Sequence, residues 1–494
     1  MSEQTFFDDR TAVFLSEKGN LNSPESWNDS SHSKLWLYNA HYFDDLNSYN
    51  YIDRKDLHLE LINRWIEDNP PIEGNGWEPY PLSLRIVNWV KWFSRRPLTD
   101  KSHLESLSLQ AEALTQQLEY HILGNHIFAN AKALVFAGCF LNSSHSEKYL
   151  HKGLGLLDRE ISEQFLEDGA HFELSPMYHS ILLWDLLELI DLAKTSRNEQ
   201  LIGRLPILKN TAIKALTWLK SMTHPDGEIS FFNDSAIGIA PSPKLVFNYA
   251  SELNLCPVSD IGPPFINKSS GYTRIEASEN VLIFDHGDIG PDYLPGHAHA
   301  DSLSFELSVS KQRIFVNSGT SMYGISDERH RQRSTCAHNT VVVDGENSSE
   351  VWSGFRVARR ARSKLLQCNV IEGGGATLEA SHNGYKRLSG RVTHTRSIEL
   401  SDKSLLVVDK LQGEFCEAVA CFHLHPSIEV IEAKENLIIV LPNEERFSVA
   451  GSGQLEILES TWHPKFGESI PNKKITFSFS TSNHIMSFKR LDTN

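Results

Sequence analysis

Hydrophobic residues follow a helical period in the first half of the chain. Apolar side chains recur every three or four positions over residues 104–122 and 207–222, which predicts amphipathic helices there. Residues 181–193, ILLWDLLELIDLA, are apolar on nearly every side, which predicts a helix that is buried on most of its surface. A succession of such helices is typical of a ring of helical hairpins.

The second half of the chain has a period of two. ITFSFS at 475–480 alternates strictly between apolar and polar residues, and EAVACFHLH at 417–425 nearly does so. IFVNSG at 314–319 and NTVVVDG at 339–345 are short apolar runs that end in turn residues. These patterns predict an antiparallel β-sandwich.

The period changes within a proline-rich stretch, residues 241–271, and we place a domain boundary near residue 265. The predicted organisation is an α+β chain of two domains, a helical domain at 1–265 and a β-sandwich domain at 266–494. A chain of 494 residues is long enough to form more than one hydrophobic core.

The net charge of −16 argues against binding to nucleic acid, which needs a basic face. The same charge would repel an acidic polysaccharide unless the binding site is locally positive. FRVARRARSK at 355–364 is a candidate for such a region. The alternative is that arginines on the solvent side of a strand block edge pairing.

The six cysteines form no CxxC pattern and lie mostly in apolar contexts, which predicts buried free thiols in a reducing compartment. No apolar run is long enough for a membrane span. The first residues lack the basic and apolar segments of a secretory signal, so we expect a cytoplasmic protein, with a periplasmic location as the alternative for a mature form. The oligomeric state is left open.

GNGWEPYPLSLRIVNW at 74–89 combines large aromatic rings with an arginine. Rings stack on sugar faces and a guanidinium pairs with a carboxylate, so we predict that Trp77 and Arg85 contact an anionic sugar. The alternative is an aromatic-rich helix start in which Arg85 forms a salt bridge.

Two further stretches place polar residues at predicted helix starts. Asn125 and His126 precede an apolar helical run, where asparagine is an ordinary N-cap. Tyr178 falls in the first turn of a helix that begins at Ser175 and Pro176, near the positive end of the helix dipole. We expect that position to lower the pKa of the phenol from its usual value of about 10. The alternative is a structural tyrosine.

LPGHAHAD at 294–301 spaces two histidines so that an extended strand would put both imidazoles on one face. His297, His299 and His338 would suit Zn²⁺ if their strands are neighbours. The chain has 22 histidines, so chance spacing is the alternative.

Taken together, WEPYPLSLRIVNW, GNHIFAN, LSPMYH, GHAHADSLSFEL and AHNTVVVDG resemble the heparinase II/III-like polysaccharide lyases, above all the heparinase III type. The resemblance runs from LWLYNAHYFDDL at 35–46 into the β domain. It implies an N-terminal incomplete (α/α) toroid and a C-terminal antiparallel β-sandwich. It also implies β-elimination of uronate-containing, glycosaminoglycan-like polysaccharides without a redox cofactor.

The resemblance also implies roles for individual residues. Asn125 matches the residue that neutralises the uronate carboxylate, with His126 beside it as support. Tyr178 matches the tyrosine that acts as the acid, and as the base for one C5 epimer. His297 matches the histidine that acts as the base for the other epimer or assists at the site. We expect the cleft to lie where the two domains meet.

The resemblance leaves the metal open. Related lyases hold zinc through ligands that align with His299, position 317 and His338. Here the middle position is Asn317, where an aspartate is common in relatives, and an amide oxygen is a poor partner for Zn²⁺. The implied reaction requires no cofactor. The alternative to a structural zinc is that His299 and His338 hold their strands together through hydrogen bonds.

We therefore expect a lyase that acts on an acidic polysaccharide or oligosaccharide, a bacterial surface polysaccharide included, and leaves a 4,5-unsaturated uronate end. One alternative is a toroid glycoside hydrolase, which needs two carboxylic acids. Asp168, Glu173 and Asp234 are available for it but form no clear pair. The other alternative is a non-catalytic glycan-binding or assembly protein of surface polysaccharide biosynthesis.

Overall fold

The computed structural model describes residues 3–8, 10–95, 100–259, 262–372, 374–432 and 437–491. Within these ranges the first half is helical and the second half consists mainly of strands, as the hydrophobic periods predict. No helix in the described ranges is long and apolar enough to cross a membrane.

The three helices predicted from hydrophobic spacing are present among eleven in the described residues. The eleven are α1 (Lys34–Tyr42), α2 (Lys55–Asp68), α3 (Pro79–Ser94), α4 (Lys101–Gln116), α5 (Gly124–Phe140), α6 (Ser146–Gln164), α7 (Pro176–Ser196), α8 (Glu199–Ile202), α9 (Leu205–Ser221), α10 (Pro243–Glu252) and α11 (Asp327–Arg333). The helix predicted to extend to residue 122 ends at Gln116, because the chain then turns and passes through left-handed backbone at Leu123 before α5.

The strands are short and pair in antiparallel fashion, and in the described residues all of them except β1 and β2 lie in the second half of the chain. In chain order the strands are β1 (Thr11–Phe14), β2 (Glu17–Asn20), β3 (Phe265–Asn267), β4 (Tyr272–Ala277), β5 (Asn280–Asp285), β6 (Phe305–Val309), β7 (Gln312–Phe315), β8 (Val341–Val343), β9 (Val351–Trp352), β10 (Arg356–Val357), β11 (Ser363–Val370), β12 (Ala376–His382), β13 (Thr393–Leu400), β14 (Ser404–Gln412), β15 (Ala418–His423), β16 (Glu429–Glu432), β17 (Leu437–Val440), β18 (Arg446–Gly451), β19 (Gln454–Trp462), β20 (Ile470–Phe479) and β21 (Asn483–Arg490).

Three sheets build the β part. Their strand orders are β11-β12-β13-β14-β21-β18-β17-β16, β19-β20-β15-β8 and β3-β4-β5-β6-β7. One apolar core contains residues of all three sheets, among them Phe305, Phe422 and Phe488. The alternation seen in the sequence therefore places one face of each sheet in a shared core.

The chain divides into two compact units, and each unit is built from three segments that are discontinuous in the sequence. One unit comprises Met1–Gln164, Leu182–Ala212 and Asn248–Leu255, and the other comprises Phe165–Ile181, Ile213–Phe247 and Cys256–Asn494. We call them the first and the second unit. The boundary near residue 265 stays a prediction.

All six cysteines are unpaired, as predicted, but they are not generally buried. Cys421 is buried, whereas Cys256 and Cys416 are exposed. An apolar neighbourhood in sequence did not predict exposure here, because both exposed thiols lie in loops between elements.

Candidate active site

Tyr178 and His297 lie against each other in the second unit. Tyr178 occupies the first turn of α7, where its backbone N–H donates to Ser175 Oγ over 3.2 Å. The centroid of its ring is 4.0 Å from that of the His297 imidazole. Its hydroxyl is 2.9 Å from the hydroxyl of Tyr323. The structure therefore brings together two of the three residues to which the resemblance gives catalytic roles.

Two carboxylates flank the His297 ring. Nδ1 lies 2.9 Å from Asp234 Oδ2, and Nε2 lies 3.4 Å from Glu173 Oε2. An ionised carboxylate only accepts hydrogen bonds, so the proton on Nδ1 donates to Asp234. In the neutral ring, Nε2 is then the nitrogen that can accept a proton. About 15% of the His297 side chain is exposed, so the ring can reach a ligand.

Asp234 is a fully buried hub. Both of its oxygens pair with the guanidinium of Arg329, with Arg329 Nη2 2.7 Å from Oδ2. His299 Nε2 lies 2.9 Å from Oδ1. Burial alone would raise the pKa of Asp234, but Arg329, His297 and His299 outweigh burial and hold that pKa well below its usual value. The carboxylate is therefore ionised and fixes the tautomer of both histidines.

The backbone holds this hub in place. Asp234 N–H donates to the carbonyl of His297 over 3.0 Å, and Ser175 Oγ donates to the carbonyl of Asp234 over 2.5 Å. Asn233 accepts the backbone N–H of His299 over 3.0 Å. Residues 233–234 thus connect the start of α7 to the GHAH segment, which explains how Tyr178 and His297 meet.

The expected lowering of the Tyr178 pKa is wrong. Burial raises the pKa of the phenol well above its usual value, and the neighbouring Tyr323, Asp234 and Glu173 raise it further. These effects exceed the influence of the helix N-terminus, because burial and nearby negative charge both disfavour a phenolate. Tyr178 is accordingly protonated at neutral pH, the state needed in a proton donor.

Asn125 and His126 belong to the first unit. Asn125 is the second residue of α5 and Leu123 precedes the helix at its N-cap, so Asn125 is not the cap. His126 Nδ1 lies 2.9 Å from Glu119 Oε1, and its ring is 4.3 Å from that of Tyr80. Asn125 is nearly buried, while about a quarter of the His126 side chain is exposed (27%). The convergence of Asn125 with Tyr178 and His297 stays a prediction.

Arg85 and Trp77 lie inside the helical core. Arg85 is fully buried, donates to the carbonyls of His41 and Gly76 over 3.2 and 2.7 Å, and stacks 3.7 Å above the Trp65 ring. Trp77 is also buried, with Nε1 3.3 Å from the carbonyl of Asn69. A guanidinium with such partners and no exposure is placed to hold loops together, so we do not include these two residues in the proposed site.

His299 and His338 lie together, and Asn317 bonds to the residue that follows His338, but this donor set fits zinc poorly. His299 Nδ1 is 3.3 Å from His338 Nε2. Asn317 Oδ1 accepts the backbone N–H of Asn339 over 3.2 Å, and its buried Nδ2 has no hydrogen-bond partner in the described part of the chain. The Asn317 oxygen is thus already engaged by a backbone N–H, and the amide nitrogen that remains is not a metal ligand.

Burial lowers the pKa of His299 to about 4 and that of His338 well below its usual value, so both rings are neutral at pH 7. Because His299 donates from Nε2 to Asp234, its Nδ1 accepts a hydrogen bond from His338 Nε2–H. A metal would have to displace that proton. Among the described residues, no group of three or more His, Cys, Asp or Glu is placed to hold a metal ion. The structural zinc stays a prediction.

Sequence reasoning missed most of the residues around His297. It weighed Asp234 and Glu173 only as acids of a hydrolase, and it did not single out Arg329 or Tyr323. The signal for Asp234 is a carboxylate in the apolar segment FFNDSA, because a buried charge requires a partner. No local signal identifies Arg329 as that partner, since it lies in the charged helix α11.

Two family sequence models cover most of the chain. "Heparinase II/III N-terminus" matches residues 37–259, and "Heparinase II/III-like, C-terminal" matches residues 264–490. The chain belongs to the heparinase II/III-like family. The resemblance read from the five motifs is thereby confirmed.

Curated members of this family with detectable similarity are named heparin-sulfate lyase. One from Bacteroides stercoris is 24% identical over 410 residues, which cover 75% of this chain and 56% of that protein. One from Pedobacter heparinus is 24% identical over 370 residues, which cover 68% of this chain and 52% of that protein. The chain therefore spans about half the length of these relatives.

The fold agrees with that of solved family members. A crystal structure of heparinase III matches 98% of this chain and 80% of its own, with a TM-score of 0.75 and 19% identity. This likeness confirms the predicted fold class, an incomplete helical toroid followed by an antiparallel β-sandwich.

Proposed function

We propose that this chain is a polysaccharide lyase that cleaves a uronate-containing, glycosaminoglycan-like glycan by β-elimination. The observation that carries the proposal is the Tyr178–His297 pair, in which a protonated phenol lies against an imidazole whose tautomer Asp234 holds. The names of the curated relatives support the same reaction class.

Each group has a defined part in the proposed reaction. The resemblance gives Asn125 the role of hydrogen-bonding to the uronate carboxylate and of stabilising the charge that develops there when the C5 proton leaves. His297 Nε2 takes that proton, because the Tyr178 phenol is already protonated and cannot act as the base. The C4–O bond then breaks, the electron pair of the C5–H bond becomes the C4–C5 double bond, and the Tyr178 hydroxyl protonates the departing oxygen.

The geometry favours elimination over hydrolysis. A glycoside hydrolase needs a protonated acid opposite a second carboxylate. Asp234 is ionised, so it cannot donate a proton, and it is fully buried with both oxygens bound to Arg329 and the histidines, so it cannot serve as the second carboxylate. Asp168 accepts hydrogen bonds from the Ser270 backbone and hydroxyl over 2.8 and 3.0 Å. Glu173 is the one remaining acid of the three, and a single acid does not form the required pair.

The proposed reaction passes through no metal ion and no redox cofactor. Its protons move between substrate and the two side chains Tyr178 and His297. A non-catalytic glycan-binding protein is the second candidate, and turnover separates it from the first.

A screen for the unsaturated product tests the proposal. Purified protein is mixed with acidic polysaccharides, and the ultraviolet absorbance of the conjugated uronate is followed together with product mass. We expect the chromophore with at least one uronate polymer and its loss in Tyr178→Phe, while the exposed Tyr49→Phe keeps full activity. Full activity in Tyr178→Phe would reject the assignment, and saturated products would indicate hydrolysis.

A further inference from the structure

A hairpin that carries exposed aromatic side chains lies next to the Tyr178–His297 pair in the second unit and contacts it through Phe355. Strands β9 and β10 form a hairpin at 351–357, in which 55% of Trp352 and 40% of Phe355 are exposed. The Phe355 ring lies 6.0 Å from that of His297 and 5.1 Å from that of Tyr323. The hairpin is thus continuous with the candidate site. Exposed aromatic rings of this size usually mark a binding surface.

Contacts with Arg329 and Gly324 hold the hairpin in place. The Arg329 guanidinium lies 5.4 Å from the Phe355 ring, and its Nε donates to the carbonyl of Gly354 over 3.1 Å. A side chain on Gly354 would come within 2.5 Å of the Gly324 carbonyl, so the hairpin touches the loop before α11 through its backbone. Rings on a fixed support lose little entropy when a ligand stacks on them.

Most of the basic stretch at 355–364 is already paired. Arg359 bonds to Glu350, and Arg362 bonds to Asp288 and Asp292 over 3.1 and 2.6 Å. Arg360 donates to the carbonyls of Pro291 and Asp292. Arg359, Arg360 and Arg362 already have partners within the chain. We therefore do not assign them to the binding of an acidic glycan.

Arg356 differs from its neighbours. It is exposed, and its side chain has no ion pair or hydrogen bond with the part of the chain that the structure describes. It lies directly opposite Trp352 in the β9–β10 register, and residues opposite each other in antiparallel strands have side chains on the same face. The face therefore carries one large ring beside one cation.

We propose that Trp352, Phe355 and Arg356 form a sugar-binding subsite for the glycan ring that follows the uronate held at Tyr178 and His297. The proposal rests on the proposed function, because a polymer bound at that pair must continue over the adjoining surface. Its ligand is a sugar ring that stacks an apolar face on Trp352 and presents a single negative group to Arg356. Stacking contributes most of the affinity, and the exposed ion pair contributes little.

The test uses matched variants on the polymer that yields the chromophore. Trp352→Ala should raise KM by about tenfold, the worth of one buried aromatic contact, and change kcat less than about threefold. Arg356→Ala should raise KM by up to about fivefold and remove most of its dependence on salt. Arg359→Ala, on the same stretch but paired with Glu350, and the exposed Ile485→Ala serve as controls and should leave KM unchanged.

The outcomes separate the subsite from the reaction. Equal KM values for Trp352→Ala and Ile485→Ala would overturn the subsite, and so would a loss confined to kcat. If no polymer yields the chromophore, calorimetric titration decides, with a heparan sulfate oligosaccharide in which the ring that follows each uronate carries one sulfate group. Binding by the unaltered protein that Trp352→Ala weakens about tenfold supports the subsite even without turnover. Equal binding by both, or binding by neither, overturns it.

Discussion

Two buried networks of nearly the same composition lie in the second unit, and only one of them reaches the candidate site. In the first, Asp234 pairs with Arg329 and holds His299, which is bonded to His338. In the second, Asp409 pairs with Arg396, with Nε 2.7 Å from Oδ1 and Nη2 3.0 Å from Oδ2. His394 Nε2 lies 2.7 Å from Asp409, and His382 lies 3.1 Å from His394. We call these the Asp234 network and the Asp409 network.

The two networks differ in how the chain assembles them. Asp409 and Arg396 are directly opposite each other on β14 and β13, and His382 and His394 are opposite each other on β12 and β13. Adjacent antiparallel strands alone bring them together. The Asp234 network joins four separate segments, and it holds one more imidazole, the partly exposed His297.

The comparison shows that a buried Asp–Arg ion pair with two histidines does not by itself indicate a catalytic site in this protein. Both carboxylates are ionised, because in each network the arginine and histidines overcome the burial that would raise the pKa of the aspartate. A proton-transfer site also needs an imidazole that is bonded to the network and remains partly exposed. His297 is that ring.

The largest expected effect comes from breaking the link to His297. Asp234→Asn keeps the shape of the side chain but no longer fixes the proton on Nδ1, so we expect kcat to fall by about 10³- to 10⁴-fold, as loss of the correct histidine tautomer does in hydrolases. The pH dependence of kcat/KM should change as well. Asp409→Asn is the matched control, and turnover per folded molecule should stay within about twofold because that network contacts no reacting group. Equal losses in both variants would make Asp234 purely structural.

The next largest effect is on stability, and it should be the same in both networks. Arg329→Met and Arg396→Met each leave a buried carboxylate without its cation, which costs about 3–5 kcal/mol in the free energy of unfolding. Arg359→Met removes an exposed partner of Glu350 and should cost less than about 1 kcal/mol. Urea-induced unfolding of the three variants measures the costs. An Arg329→Met variant with an unchanged free energy of unfolding would mean that the histidines alone keep Asp234 charged.

A third prediction concerns the metal, and it tests the Asp234 network alone. Asn317→Asp adds a carboxylate beside His299 and His338, a donor set that suits Zn²⁺. The variant should retain zinc after dialysis and gain about 2.7 kcal/mol of stability at a free zinc concentration of 100 Kd, reversed by a chelator. Metal analysis and thermal melts measure both. His338→Ala in that background should abolish the gain, and stoichiometric zinc in the unaltered protein would contradict the poor fit.

A further prediction concerns pH dependence, which is spread over several pH units and which both networks should share. Burial lowers the pKa of His299 to about 4 and also lowers that of His394. An unfolded histidine takes up a proton near pH 6.5 and the folded one only near the lowered value. For His299, stability is therefore complete above about pH 6.5 and is lost between pH 6.5 and 4, by about 1.4 kcal/mol per pH unit; His394 contributes in the same direction.

Below that window the aspartates add to the loss. The pKa values of Asp234 and Asp409 are held well below normal, so their contribution is present above about pH 4 and disappears as the pH falls further. Thermal melts from pH 8 to pH 3 follow both phases. His299→Asn should reduce the slope between pH 6.5 and 4, and a melting temperature that is flat from pH 8 to pH 5 would contradict the assignment of neutral buried rings.

Hydrophobic spacing located several elements, and the motifs located Tyr178 and His297. The period of three and four predicted helices that became α4, α7 and α9, and strict alternation predicted β20. The same reading placed Arg85 and Trp77 at a sugar, because a guanidinium among rings looks alike whether the rings face a ligand or a core. It also expected a lowered pKa for Tyr178, because the helix start is visible in the sequence and the surrounding carboxylates are not.

The sequence by itself determined the two kinds of secondary structure, the family and the order of the motifs, since each depends on residues that are close along the chain. Tertiary structure decided which arginine neutralises Asp234, which nitrogen of His297 carries the proton, and whether Arg356 or Arg359 stays unpaired. Charge and tautomer depend on burial and on neighbours a few ångströms away, and here those neighbours come from segments that lie far apart in the chain.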